Sequence, residues 1–271
     1  MDITFLGTGA SEGWPAYFCE CDTCKRARQA GGKNRRTRLS VLIDDDIKID
    51  LPPDTFCHHM ADDGALCRVN HILISHSHGD HFHPHTLEMR KEPFAFVPPG
   101  KQLAVYGNSR VMELCETALD DPENAGIDLV RLKPFQTVQA GDATVATLEA
   151  DHMQEEDALN FIVSVDGKTF LYGHDTGWYP EQTWEFLADW QLDVVSLDCT
   201  NGPYDGRQYH MGIPANLDVK ERLTGQGSAS GDTVFVANHF SHNGGLLHEE
   251  IETRMEGTGF VVAYDGLRIS V

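Results

Sequence analysis

A run of histidines and one aspartate is the part of the sequence best suited to metal chemistry. Residues 74–85 read ISHSHGDHFHPH, in which His76, His78, Asp80 and His81 form an HxHxDH pattern directly after an apolar run. Residues two apart at the end of an extended strand lie on the same face, so His76 and His78 can bind one cation. Asp80 and His81 follow a turn and can face a second cation close by. The pattern therefore predicts a site for two metal ions.

A second cluster consists of thiols. The stretch FCECDTC places Cys19, Cys21 and Cys24 within six positions. Three crowded thiols are compatible with a redox pair, with a reactive nucleophile, or with three of the four ligands of a tetrahedral zinc site. The cysteines alone do not decide between these possibilities, because the fourth ligand would have to come from elsewhere in the chain.

Composition limits the class of protein. The chain has 271 residues, and its seven cysteines are odd in number and partly scattered, which argues against a disulfide framework. Neither a signal peptide nor an apolar run of about 18 residues is evident, so we expect a cytoplasmic protein without a membrane partner. The net charge of −21 argues against a nucleic-acid partner, which usually requires a basic face. The one compact basic run, RRTR at 35–38, is expected to be a solvated loop.

Short apolar runs bounded by Gly, Asp and Pro predict many strands, with helical patterns between them. Interspersed helices in both halves favour an α/β fold with sheets in the middle and helices outside, formed as one domain over residues 1–271. The predicted strands fall at 3–7, 40–51, 71–76, 103–107, 144–150, 160–165, 168–173, 193–199, 233–239, 259–264 and 267–271. The predicted helices fall at about 84–92, 109–120, 180–190, 214–224 and 246–255.

The HxHxDH motif and the residues that end later apolar runs resemble the metallo-β-lactamase superfamily. The resemblance extends from FLGTG (5–9) to AYDG (263–266) and implies an αββα four-layer sandwich with a dinuclear site at one edge of its two sheets. The family's later ligands match His152 in EADHM, Asp175 in YGHDTG and His239 in VANHFSH.

The resemblance also implies how the ligands are divided. One divalent ion (Mn or Zn, with Fe as a further option) would be held by His76, His78 and His152, and a second by Asp80, His81 and His239. Asp175 would bridge the two ions, and Asp50 would orient a ligand from behind. His174, which precedes Asp175, is predicted to be a non-ligand.

A narrower branch, the phosphoribosyl 1,2-cyclic phosphate phosphodiesterases of phosphonate catabolism, carries CxCxxC near the N-terminus and HxSH near the C-terminus. FCECDTC and NHFSH match both motifs. This resemblance implies a closed structural zinc site formed by Cys19, Cys21, Cys24 and His242. The stretch 52–67 has no counterpart that we can match, and we expect an insertion there with His58 and His59 facing solvent.

Together these features predict a hydrolase in which a water that bridges two cations is deprotonated and attacks the substrate. We expect the substrate to be a small, preferably cyclic, phosphodiester, with Asp80 and Asp175 in the catalytic centre. The resemblance implies that His210, in the loop after LDC (197–199), is the general acid. The alternatives are a tRNA 3′-processing type of nuclease, a lactone or thioester hydrolase, and a metal-binding protein without turnover. A homodimer is a further expectation.

Overall fold

Fourteen strands are found among residues 1–153 and 155–271, which a computed structural model of the chain describes. They are β1 (Asp2–Gly7), β2 (Ser40–Ile43), β3 (Ile47–Ile49), β4 (His71–Leu73), β5 (Leu103–Gly107), β6 (Ile127–Arg131), β7 (Thr137–Ala140), β8 (Ala143–Glu149), β9 (Leu159–Val165), β10 (Lys168–Gly173), β11 (Val194–Asp198), β12 (Val234–Asn238), β13 (Phe260–Val262) and β14 (Leu267–Ser270).

Six α-helices lie between these strands in the described part of the chain. They are α1 (Asp22–Ala30), α2 (Thr55–Ala61), α3 (Ser109–Leu119), α4 (Glu181–Leu187), α5 (Ile213–Gly225) and α6 (His248–Met255). Shorter 3₁₀ segments occupy Gly32–Asn34, Ala65–Cys67, Pro84–Arg90, Glu123–Ala125 and His242–Gly244. None of the helices in the described ranges combines the length and the apolar character that a bilayer crossing requires.

The strands form two mixed seven-stranded sheets. The first has the order β14-β1-β2-β3-β4-β5-β6, and the second has the order β13-β12-β11-β10-β9-β8-β7. The hairpin between β2 and β3 turns through Asp44 and Asp45, both at positive φ, and the one between β9 and β10 turns through Asp166 and Gly167. Asp and Gly tolerate this left-handed backbone, so both turns follow from residue type.

Apolar residues separate the layers. The largest core, with Phe5 and Phe161, lies between the two sheets. A second core joins the outer face of the first sheet at Ile72 to α3 at Cys115, and a third packs α4 at Trp184 and α5 on the outer face of the second sheet. Three apolar layers between four layers of secondary structure make an αββα sandwich, which confirms the predicted fold class.

The structure corrects several local predictions. Helices α1 and α2 and strands β6 and β7 were not predicted, and the helix expected at 84–92 is a 3₁₀ segment over Pro84–Arg90. The 52–67 stretch forms α2 and packs on the first sheet through Ala65. His58 there is buried, not solvent-facing, with its Nε2 2.8 Å from the Thr37 hydroxyl.

Arg36 is a second correction, because the basic run at 35–38 is not simply a solvated loop. Its guanidinium is buried and donates to the Thr8 hydroxyl (2.7 Å) and to the Ala263 carbonyl (2.6 Å). Charged side chains are seldom buried without such partners. This arginine therefore ties the start of the chain to the segment before β14.

Candidate active site

The carboxyl ends of strands from both sheets meet at one edge of the sandwich. Asp50 follows β3, Asp175 follows the β10 end by two residues, and His239 follows β12 directly. All three have positive φ, at 60°, 47° and 58° respectively. This backbone is uncommon for residues other than glycine, although Asp and His are enriched in it, and it recurs at functional sites. These three residues turn the chain where the strands end, and their side chains lie together at this edge of the sandwich.

Three histidines form the first half of the site. His76 Nε2 lies 2.9 Å from His78 Nδ1, and His152 Nε2 lies 3.2 Å from the same atom. These three atoms are mutually close enough to bind one ion. His76 is fully buried, which together with the charge of nearby His81 holds its pKa well below the usual range. Neutral imidazoles with converging lone pairs are the form that binds a cation.

Asp175 lies between the three histidines of the first half and a second group of ligand residues. Its Oδ1 is 3.6 Å from His152 Nε2, while its Oδ2 is 2.5 Å from His81 Nε2 and 3.4 Å from His239 Nε2. Asp80 Oδ2 is 3.3 Å from His81 Nε2. Burial would raise the pKa of Asp175, but the neighbouring His239 and His81 hold it well below its usual range. An ionised carboxylate with one oxygen on each side occupies the position of a bridging ligand.

The donor set fits two divalent cations. Three buried side-chain atoms that converge on the second half lack an aligned hydrogen-bond partner: His81 Nε2, Asp175 Oδ2 and His239 Nε2. Buried polar atoms are normally satisfied, so unsatisfied atoms aimed at one point indicate a missing ligand. Imidazole nitrogen and carboxylate oxygen suit Zn, Mn and Fe alike. The residues therefore fit the predicted centre, while the kind of metal stays a prediction.

Asp50, which the resemblance implies as an orienting group, contacts His81 on the side away from the site. Its Oδ2 accepts from His81 Nδ1 (2.7 Å) and from the Tyr172 hydroxyl (2.6 Å), and its Oδ1 accepts from the Ser75 backbone and hydroxyl (2.8 and 2.9 Å). When His81 is neutral, as a metal ligand must be, Nδ1 donating to Asp50 leaves the lone pair on Nε2, which faces the site. Tyr172 and Ser75 were missed, because only the pairing of the two sheets brings them to Asp50.

Asp198 is the main site residue that the sequence analysis did not assign. It is fully buried, and its Oδ2 accepts from the Asp175 backbone N–H (3.1 Å) and from His210 Nδ1 (3.0 Å). The same oxygen is 3.3 Å from His239 Nδ1. A signal existed, since Asp198 ends the apolar run of β11 as the predicted ligands end theirs. One carboxylate thus positions three groups of the site.

His210 reaches the site, as its predicted role requires. Its ring stacks on His239 at 5.8 Å between centroids and lies 5.0 Å from the ring of His152. Burial lowers the pKa of His210, but the charge and hydrogen bond of Asp198 outweigh it and raise the pKa to about 9. The role of general acid stays a prediction. His174 is elsewhere: it is buried with its Nε2 2.9 Å from the Ser196 hydroxyl.

The cysteine cluster meets His242 across the chain. Cys19 Sγ and Cys21 Sγ lie 3.6 and 3.4 Å from His242 Nδ1, and Cys24 Sγ completes a set of four close donors. The Cys24 backbone N–H donates to Cys21 Sγ at the start of α1 and is the main cause that lowers the pKa of Cys21 to about 6. Burial raises the pKa of Cys24 to about 12. Four converging S and N donors fit a closed tetrahedral zinc site better than a redox pair.

Sequence comparison identifies a domain family. The model of the beta-lactamase superfamily domain matches residues 52–226, which is more than half of the chain. No curated protein matches the sequence.

Solved structures share the fold over the whole chain. A new diphosphatase from the PhnP family superposes with a TM-score of 0.78 at 22% identity and covers 100% of this chain and 97% of its own. Zinc-bound PqqB from Methylobacterium extorquens gives 0.75 at 16% identity, with 100% of both chains covered. The short form of human tRNase Z gives 0.67 at 16% identity and covers 100% of this chain and 99% of its own. At these identities the likeness concerns the fold.

Proposed function

Because this chain belongs to the metallo-β-lactamase superfamily of hydrolases, we propose that it is a metal-dependent phosphodiesterase that cleaves a small, cyclic phosphodiester. One observation carries the proposal more than any other. A carboxylate, Asp175, lies between two clusters of converging histidines, and the Asp198–His210 pair stands beside it. This arrangement combines a place for two cations with a separate protonated imidazole.

Each group has a distinct task in such a reaction. His76, His78 and His152 would hold one divalent ion, and Asp80, His81 and His239 the other, with Asp175 between them. When bound, the two ions supply a water of lowered pKa as nucleophile and neutralise charge on the phosphate oxygens. Asp50 keeps His81 in the tautomer that leaves Nε2 free.

His210 would protonate the leaving oxygen. Its Nδ1 donates to Asp198 at 3.0 Å, so its Nε2 carries the remaining proton of the imidazolium. The Asp198 carboxylate raises the pKa of His210 to about 9, which favours the protonated form, and an anionic substrate would favour that form further. An alkoxide leaves slowly without a proton, which makes a positioned acid valuable.

Three observations support a small phosphodiester as the substrate. Cys19, Cys21, Cys24 and His242 lie together as the resemblance to cyclic phosphate phosphodiesterases implies. Only 23 positions separate His152 from Asp175, and β9 and β10 occupy most of them, so no room exists there for an arm that grips tRNA. One protein with the same fold is a diphosphatase, which likewise acts on a phosphorus–oxygen bond.

A substrate panel tests the proposal. The purified protein, with its metal content measured, would be assayed on an aryl phosphodiester, phosphoribosyl cyclic phosphate, 2′,3′- and 3′,5′-cyclic nucleotides, a lactone and a thioester. We expect turnover of the diesters and the highest kcat/KM on a cyclic phosphate. Lactone or thioester turnover well above diester turnover would reject the phosphodiesterase assignment. Absence of all hydrolysis by the metal-loaded protein would favour a metal-binding protein without turnover.

A further inference from the structure

Glu156 lies beside the active site without belonging to either group of predicted ligands. We propose that Glu156 is a positioning residue that sets the metal affinity of the half-site formed by His76, His78 and His152. The inference rests on the proposed dinuclear centre and is independent of the substrate.

The carboxylate of Glu156 is bound on both oxygens. Oε1 accepts from the Ser77 backbone N–H (2.9 Å) and from the Ser77 hydroxyl (2.8 Å), and Oε2 accepts from Asn108 Nδ2 (2.9 Å). We call this arrangement of Glu156, Ser77 and Asn108 the Glu156 latch. Hydrogen bonds to an ionised acceptor are about twice as strong as neutral ones. The latch therefore restrains the backbone between the two histidines of the HxHxDH motif.

Asn108 gives the latch a rigid base. Its side chain is buried, and its Oδ1 accepts from the Val111 N–H (3.0 Å) as the N-cap of α3. Its Nδ2 also donates to the Asp157 carbonyl (2.8 Å), next to Glu156. The start of helix α3 thus fixes the orientation of the Asn108 amide, whose Nδ2 donates to Glu156. Through Asn108, the position of Glu156 is therefore fixed relative to the first sheet and helix α3.

The three histidines differ in what orients them. His76 Nδ1 lies 3.0 Å from the Ser75 hydroxyl, and His152 Nδ1 donates to the Tyr209 carbonyl (3.1 Å). In the described part of the chain, the hydrogen-bonding contacts of the His78 side chain are with the other two imidazoles, both through Nδ1, while its carbonyl accepts from the His81 and Phe82 N–H groups. The direction of the His78 ring therefore depends on its own backbone, which the latch holds through Ser77.

The latch also joins the loops that carry the three ligands. Glu156 follows His152 by four positions, in the connection between β8 and β9, whereas Ser77 belongs to the segment after β4. His76 Nε2 and His152 Nε2 lie 2.9 and 3.2 Å from His78 Nδ1, and ordering three side chains in this way costs conformational entropy. The latch holds the segment after β4 and the β8–β9 connection together. It therefore lowers the entropy cost of ordering the three histidines when a metal binds. Groups that orient ligands in this way typically change metal affinity 10- to 100-fold.

Metal titration of Glu156→Ala tests this role. The holoprotein and the variant would be dialysed against buffers of graded free Mn²⁺ or Zn²⁺, and metal per chain would be counted by plasma mass spectrometry. We expect one metal of the variant to require roughly 10- to 100-fold more free ion, with the other midpoints unchanged. Hydrogen exchange of the 76–79 backbone should accelerate in the same variant. Glu155→Ala, at the exposed neighbour, is the matched control and should bind as the wild type does.

The results of this titration distinguish a failure of the positioning role of Glu156 from a failure of the proposed dinuclear centre. Wild-type midpoints in Glu156→Ala, or an equal shift of every midpoint, would overturn the positioning role. A wild-type protein that holds fewer than two ions outside the cysteine site would instead defeat the proposed function. If Glu156→Ala does not fold, the same metal titration is made on Ser77→Ala, which removes one of the two hydrogen bonds to Glu156 Oε1. An unchanged affinity in that variant would refute the proposal, and a loss of about 3- to 10-fold in one site would support it.

Discussion

The imidazole of His210 stands next to Asp198 and over His239, so its contribution to turnover should depend on the leaving group. His210→Ala should lower kcat for an alkyl diester by roughly 10²- to 10⁴-fold, because an alkoxide needs a proton from the acid. The loss should be much smaller for a nitrophenyl diester, whose leaving group needs little protonation. Steady-state kinetics on the two substrates, with metal content measured in parallel, provides the check.

The exposed His83 offers a control, and His83→Ala should leave both rates unchanged. Equal losses with alkyl and aryl leaving groups in His210→Ala would mean that His210 binds substrate or shapes its loop. The proton would then have to come from a different group.

At the scale of elements, the cysteine site connects α1 to the segment after β12. Cys19 and His242 are 223 positions apart, so a metal here closes a very long loop. Cys21→Ser should leave two metals per chain where we expect the wild type to hold three, and should lower Tm by roughly 5–15 °C, because structural metal affinity is folding free energy. Calorimetry and metal analysis measure both quantities.

Cys57→Ser is the matched control, since Cys57 is exposed on α2 and outside the cluster. Full metal content and unchanged Tm in Cys21→Ser would rule out the closed-site interpretation and leave free thiols as the alternative.

Strand β3 carries a buried cation, Lys48, between the first sheet and α2. Its ammonium group donates to the Ser40 hydroxyl, and Asp50 and His58 are the charged or titratable neighbours that act on it. Burial lowers its pKa from 10.5 to about 7, although the charge of Asp50 opposes that change. The unfolded chain therefore binds more protons between about pH 7 and 10.5, and this residue makes the free energy of unfolding rise with pH there.

Lys48→Met should accordingly stabilise the fold near pH 7, by on the order of 3 kcal/mol. The gain should shrink as the pH rises toward 10.5, because only above that value is the wild-type lysine neutral in both states. Urea unfolding between pH 6.5 and 9.5 measures the difference, with Lys25→Met at an exposed position as the control. A stability difference that does not change with pH would contradict this account of Lys48.

Local pattern was sufficient for most elements, and the structure brings together the strand-end residues that the resemblance implied as ligands. Strands such as β10 are apolar runs closed by Gly or Asp, and Asp175 and His239 follow such runs. In contrast, β6 and β7 lie at the edges of their sheets and alternate weakly, so their sequence carries little signal. The buried states of Arg36 and His58 depend on partners far along the chain. Tyr172 and Glu156 were missed for the same reason, whereas Asp198 ends the apolar run of β11 and had a local signal that was not used.

At the scale of the whole molecule, the net charge of −21 should make the protein a poor ligand for tRNA. We expect no cleavage of a precursor tRNA and no binding that survives 150 mM salt. Gel-shift and cleavage assays would check this, with the short form of human tRNase Z, which shares the fold, as the positive control. Processing of the precursor by this protein would favour the nuclease alternative. The expected homodimer stays a prediction for light scattering to test.

The order in which the chain is made has a consequence for how both sites fill. The Cys19–Cys24 cluster and the HxHxDH segment leave the ribosome early, whereas His239 and His242 follow more than 150 residues after His81. At roughly 5–20 residues per second, the early ligands wait on the order of 10–30 s for their last partners. An ion captured meanwhile has only an incomplete, weaker set of donors. In the cysteine site and in the half formed by Asp80, His81 and His239, the correct metal is therefore selected only after the C-terminal strands have docked, and ions bound there earlier remain exchangeable.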